Sequence, residues 1–207
     1  DVLSQLLHGT RTSLVVAGVV TVASTTLSWL VGLAAGYYRR AEGPLMAVTD
    51  LLLALPAIPL YVLVLTLLEP TRRNLIAVLA LLSWPAFARI VRSVVLEARS
   101  TVYVEAASAL GATPRHIVWR HLLPATLGIL PTKLVLTTRF AVFAEATLAF
   151  LGLGSTDALS WGRMLNAAFS DPLLFARPEW PWLVLPPTTA IVALLVATAW
   201  VSNRPGP

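Results

Sequence analysis

The sequence contains no cysteine and little charge. The missing thiols exclude disulfides, thiolate metal sites and cysteine nucleophiles. Only 12% of the 207 residues are charged while 57% are hydrophobic, and mean hydropathy is +0.78. That balance lies outside the range of a soluble domain of this length and reads as a membrane protein. No G-x-x-x-x-G-K-[ST] phosphate loop occurs, so the chain has no cradle for ATP of the usual kind. HExxH, G-x-S-x-G and paired catalytic Asp are absent too, so neither a catalytic residue nor a metal centre is expected. His116 and His121 are five apart, not the four that aligns two ligands on one helix face. The first residues, DVLSQLLHGTRT, lack the basic start and apolar core of a signal peptide. Because the chain starts at Asp1, an upstream segment is expected. The 15 basic residues against 10 acidic ones set membrane orientation rather than bind nucleic acid.

What is present is a series of long apolar segments. A helix crossing a bilayer needs about 20 mostly apolar residues, because its backbone groups must be satisfied within the segment. Five segments qualify, over residues 13–36, 45–68, 74–91, 125–151 and 183–201. The expected fold is all-α, a polytopic transmembrane helical bundle forming one domain over 1–207. In the first segment Gly18, Ala23, Ser24, Ser28, Gly32 and Gly36 let another helix approach closely. Pro56 and Pro59 in LALPAIPLY each remove a backbone donor, which predicts a kink or local unwinding in the second. Pro186-Pro187 should kink the fifth or mark its true start.

Charge sets the orientation. If the segments alternate, residues 37–44, 89–121 and 203–207 share one side and carry eight Arg against three Glu. The opposite side, 1–12, 69–74 and 152–182, carries five Arg against five acidic residues. The positive-inside rule then puts the loop 92–121 in the cytoplasm and the loop 152–182 outside. Trp161, Trp180 and Trp182 in the outer loop suit the outer interface.

The cytoplasmic loop contains YVEAASALGATPRHIVWRHLLPA, residues 103–125. Tyr103, Ala106, Ala107 and Leu110 recur at i, i+3, i+4 and i+7, one apolar stripe over two turns. Gly111 should stop that helix with a left-handed cap. Thr113 as N-cap and Pro114 at the first helical position should start the next, and Pro124 should end it. Such a stripe suits either an amphipathic helix lying on the membrane or a docking helix.

Glu105-Ala106-Ala107, with Gly111 after three residues and Leu123-Pro124 after eleven more, resembles the EAA signature E-A-A-x3-G-x9-I-x-L-P. That signature marks the membrane subunits of bacterial ATP-binding-cassette importers. His121 stands where the general pattern has Ile. The likeness runs over essentially the whole chain. DVLSQLLHGTRTSL, DLLLALPAIPL, and EATLAFLGLG followed by SWGRML resemble successive parts of permeases of the dipeptide, oligopeptide and nickel family, C-subunit type. The resemblance implies a type I importer permease fold with six spans, the first lying upstream of this chain. It also implies that Tyr103, Glu105, Ala106, Ala107, Leu110 and Gly111 couple the chain to an ATPase. ATP and magnesium would sit in two cytoplasmic ATPase subunits, with no cofactor in this chain. The remaining implied partners are a second homologous permease in a heterodimer and an extracytoplasmic substrate-binding protein. The implied location is the cytoplasmic membrane of a bacterium. The implied cargo is di- or oligopeptides, with nickel chelates or glutathione-like peptides as the alternative.

Charges inside spans are costly in lipid and should face protein or water. Asp50, Arg139 and Glu145 are therefore candidates for a translocation path. Arg139 and Glu145 equally suit an ion pair, while Lys133 suits snorkelling to the interface. A secondary transporter would show inverted repeats with paired broken helices, and the Pro-interrupted segments here are not in matching positions.

Overall fold

A computed structural model describes residues 1–156 and 158–202. Asp157 and Arg204, both counted in the charge balance, lie outside the described residues. Every regular element among the described residues is helical. In order these are α1 (Val2–Tyr37), α2 (Arg39–Ala54), α3 (Ala57–Thr66), α4 (Arg72–Leu82), α5 (Pro85–Arg99), α6 (Val102–Ala109) and α7 (Pro114–Ile117). A π-helical turn over Val118–Leu122 leads into α8 (Leu123–Leu127). Then come α9 (Leu130–Phe150), α10 (Trp161–Phe169), a 3-10 turn at Leu174–Ala176 and α11 (Trp180–Ser202). Three helical stretches, 2–37, 72–99 and 180–201, are long and apolar enough to cross a membrane. Counting each of two bent pairs, α2 with α3 and the stretch 114–127 with α9, as one span gives up to five, the number of apolar segments in the sequence.

Proline chemistry explains several boundaries. Leu55 is extended, with φ −90° and ψ 139°, because the ring of Pro56 disfavours a helical residue before it. Pro59 falls in the first turn of α3, where its missing N–H has no intrahelical partner to lose. Pro124 behaves differently from expectation. It does not end a helix but sits at the start of α8, and the π turn immediately before it absorbs the missing donor. Pro186 and Pro187 lie inside α11, which starts earlier, at Trp180. Pro181 there suits a first turn, and an apolar helix tolerates the interior prolines.

The chain divides into two compact units. One comprises residues 1–22, 57–80 and 135 onward, the other 23–56 and 81–134. In the second unit Phe87, Val91, Val95 and Ala98 form a stripe along α5 that packs with Val104, Ile117 and Leu122. The C-terminal half of α1 approaches that stripe through glycine. A Cβ on Gly32 would lie 2.5 Å from Val91 Cβ and 2.8 Å from the Ala88 carbonyl oxygen, and one on Gly36 2.7 Å from Val95 Cβ. Ser28 Oγ donates to the carbonyls of Ser24 at 2.6 Å and Trp84 at 2.9 Å. Trp29 Nε1 donates to Thr126 Oγ1 at 2.7 Å. Gly32→Ala should therefore push the helices apart at a cost of about 1–3 kcal/mol, read as a lower melting temperature of the purified protein. Gly18→Ala, with no atom within 4 Å of the new Cβ, should not lower it.

The first unit buries Val16, Ala17 and Val20 of α1 with Ala141, Val142, Ala144 and Leu148 of α9. Gly162 brings α10 against α9, since a Cβ there would meet the Ala146 carbonyl oxygen at 2.3 Å.

Candidate functional site

The segment 101–117 is built by caps at every end. Thr101 is extended, and its carbonyl accepts the N–H groups of Val104 at 3.0 Å and Glu105 at 3.1 Å. At the far end of α6 the Ala112 N–H reaches the Ala107 carbonyl at 3.0 Å, and the Gly111 N–H reaches that of Ser108 at 3.0 Å. With Gly111 at φ +83°, this is a Schellman closure of the kind that glycine favours. Thr113 Oγ1 then accepts the His116 N–H at 3.3 Å, and Pro114 opens α7.

The helix thus held has two unlike sides. Val104 is buried in the core of its unit, beside Val95 and Ile117. Tyr103, Glu105, Ala106 and Gly111 are exposed, Ala107 is half-buried, and Leu110 is 89% exposed. One buried anchor therefore holds an outward apolar stripe. The Tyr103 ring lies 5.6 Å from that of His121, which lies 5.8 Å from that of His116. These are ring contacts. Among the described residues no three His, Cys, Asp or Glu come together to hold a metal.

The charges read as intramembrane have varied surroundings. Asp50 of α2 pairs with Arg89 of α5, and Glu42 pairs with Arg92 beside it. The four line a cleft of about 600 Å³ with Arg39 and Met46. Asp50 is therefore not a lone carboxylate, and no local pattern signals a partner 39 residues away. Arg139 and Glu145, both on α9, are not paired with each other. Arg139 is exposed, whereas Glu145 is 2% exposed and accepts hydrogen bonds from Ser13 Oγ at 3.2 Å and from the Ser160 hydroxyl. Lys133 does not snorkel. It is buried, with Nζ 4.6 Å from the centre of the Phe87 ring, a cation–π contact.

The description binding-protein-dependent transport system inner membrane component fits residues 24–204. The chain belongs to that family. Its members are inner-membrane transport components, and the permease described here is a transport subunit of that kind. It is 35% identical over 205 residues to a Brucella ovis protein named as a peptide permease, covering 98% of this chain and 67% of that one. A Brucella suis protein named as a peptide transport system permease is 37% identical over 198 residues, 95% and 65% of the two chains. The glutathione transport system permease protein GsiD of Pectobacterium atrosepticum is 34% identical over 200 residues, 95% and 64%. The permease thus spans about two thirds of the length of these relatives.

Around Glu145 the permease gathers three separate sequence stretches. Ser13 belongs to GTRTSL, Glu145 to EATLAFLGLG, and Ser160 and Trp161 to SWGRML. The Trp161 N–H donates to Ser13 Oγ at 3.3 Å, and its Nε1 to Thr10 Oγ1 at 3.2 Å. Ser160 also caps α10 by accepting the Arg163 N–H at 3.3 Å. Trp161 is accordingly 4% exposed and does not serve as an interfacial anchor, in contrast to Trp182 at 72%.

Proposed function

We propose that this permease is a transmembrane subunit of an ATP-driven importer that moves di- or oligopeptides across the cytoplasmic membrane, and that α6 couples it to a separate ATPase. The observation that carries this reading is the outward stripe of α6, held by Val104 and closed by Gly111. In this reading Tyr103, Ala106, Ala107 and Leu110 seat in a groove of an ATPase subunit, and small side chains allow close approach. Glu105 offers its carboxylate to a cation of the partner. Two ATPase subunits bind and hydrolyse ATP with magnesium, and their closure pushes α6 and biases the spans between two arrangements. A second homologous permease completes the path, and an extracytoplasmic binding protein delivers the cargo. The likeness to a glutathione permease favours a small peptide of that kind as a second reading.

The test is co-purification with the ATPase and the second permease, followed by ATP hydrolysis with the loaded binding protein. Dipeptides, longer peptides, glutathione and nickel chelates form the panel. A peptide-loaded binding protein should stimulate hydrolysis several-fold. Stimulation by none of the panel contradicts an importer, and stimulation by nickel chelates alone contradicts the peptide cargo.

A further inference from the structure

The unit containing residues 1–22 holds a cleft of about 670 Å³. Gln5, His8, Thr12 and Val15 line it from successive turns of α1, with Arg11 between them. Arg72, the first residue of α4, and Leu159, just before α10, close the other sides. No carboxylate among the described residues lines it. The three ion pairs among the described residues, Arg89–Asp50, Arg92–Glu42 and Arg177–Asp171, use neither Arg11 nor Arg72. His8 is held in place because its Nδ1 donates to the Ser4 carbonyl at 2.8 Å.

We propose that this cleft receives the carboxylate end of the cargo on its way into the permease. The proposal rests on the peptide-importer reading above and on the charge balance that puts 1–12 and 69–74 outside. Two guanidinium groups offer the planar donor pairs that match a carboxylate. The same charges repel an ammonium group, so a peptide enters with its C-terminus toward them. The Gln5 amide and the Thr12 hydroxyl provide both donors and acceptors for a peptide bond. Val15 and Leu159 give an adjoining side chain an apolar wall. The volume falls in the range of roughly 300–1,000 Å³ common to small-molecule sites. A concave site of this composition suits a short peptide end better than a flat protein surface.

The experiment compares a peptide with its C-terminally amidated form, taken up by the complete complex in proteoliposomes. Wild type should prefer the free carboxylate by about tenfold or more, the scale expected when charge-assisted hydrogen bonds are lost. Arg11→Gln and Arg72→Gln, with the same binding protein, should bring that ratio close to one while uptake of the amidated peptide persists. Arg11→Lys should keep part of the preference. A binding protein that itself selects carboxylates adds the same factor to every variant, so the change between variants reports the permease alone. Equal loss of both peptides in the Gln variants, or an unchanged ratio, overturns the site and leaves the importer reading intact. Uptake that follows the anionic-lipid content of the vesicles rather than the peptide terminus assigns the arginines to lipid phosphate and also overturns it. Wild-type uptake of neither peptide overturns the importer reading and the site together.

Discussion

Ala107→Trp and Gly111→Asp should each abolish ATP-driven uptake while the protein still inserts in the membrane at normal abundance. The reason lies in what each position touches. Gly111 sits at φ +83° with no atom within 4 Å of an added Cβ, so a substitution meets backbone strain and no clash. That strain is about 1–2 kcal/mol, too little to unfold a helical bundle. Asp also places a negative charge beside the apolar stripe. Ala107 is half-buried at the edge between the Val104 side and the exposed side, so an indole there fills the space into which a partner would fit. Uptake, the amount of protein in the membrane fraction and co-purification of the ATPase are measured together. Loss of uptake and of co-purification with unchanged abundance is the expected result. Normal uptake by either variant would remove α6 from the coupling role. Val104→Ala separates folding from docking, because it removes a buried side chain and should lower abundance as well as uptake.

Local chemistry made α6 and its surroundings legible in the sequence. Glycine after the stripe and Thr-Pro after the glycine specify caps that depend on residues at most five apart, and the structure forms both. The all-helical membrane fold was legible for a similar reason, since lipid leaves the backbone few alternatives. Side-chain partners were not. Ser13 and Glu145 are 132 positions apart, and nothing near either residue marks the other. Arg139 and Glu145 looked alike as charges in one span, yet six positions of helix turn them to different faces, one exposed and one buried. The prolines taught a narrower lesson. Leu55-Pro56 breaks a helix as its chemistry predicts, but Pro124, Pro186 and Pro187 are absorbed by a π turn or by an apolar helix. Whether a lost donor ends a helix depends on what else can accept the strain.

Glu145→Ala should destabilise the permease and reduce uptake of every substrate by the same factor. The Glu145 carboxylate receives hydroxyls from Ser13 on α1 and Ser160 at the start of α10, so its removal leaves two buried donors without an acceptor and opens a cavity. Such losses together cost about 3 kcal/mol or more. Ser13→Ala alone should cost about 1–3 kcal/mol. In the double variant the losses should fall short of additive, since both remove one shared bond. Hydrogen exchange offers a local readout. Amides of 160–169 should exchange faster in Glu145→Ala, because α10 is held through Ser160, Trp161 and Gly162. Arg139→Leu is the control on the same helix. Being exposed, Arg139 should leave melting and exchange unchanged, and any effect on uptake should depend on substrate charge. The opposite pattern decides against the structural assignment. If Glu145→Gln melts like wild type and alters uptake only of peptides of one charge, Glu145 faces the cargo, and the hydroxyls of Ser13 and Ser160 serve to orient it.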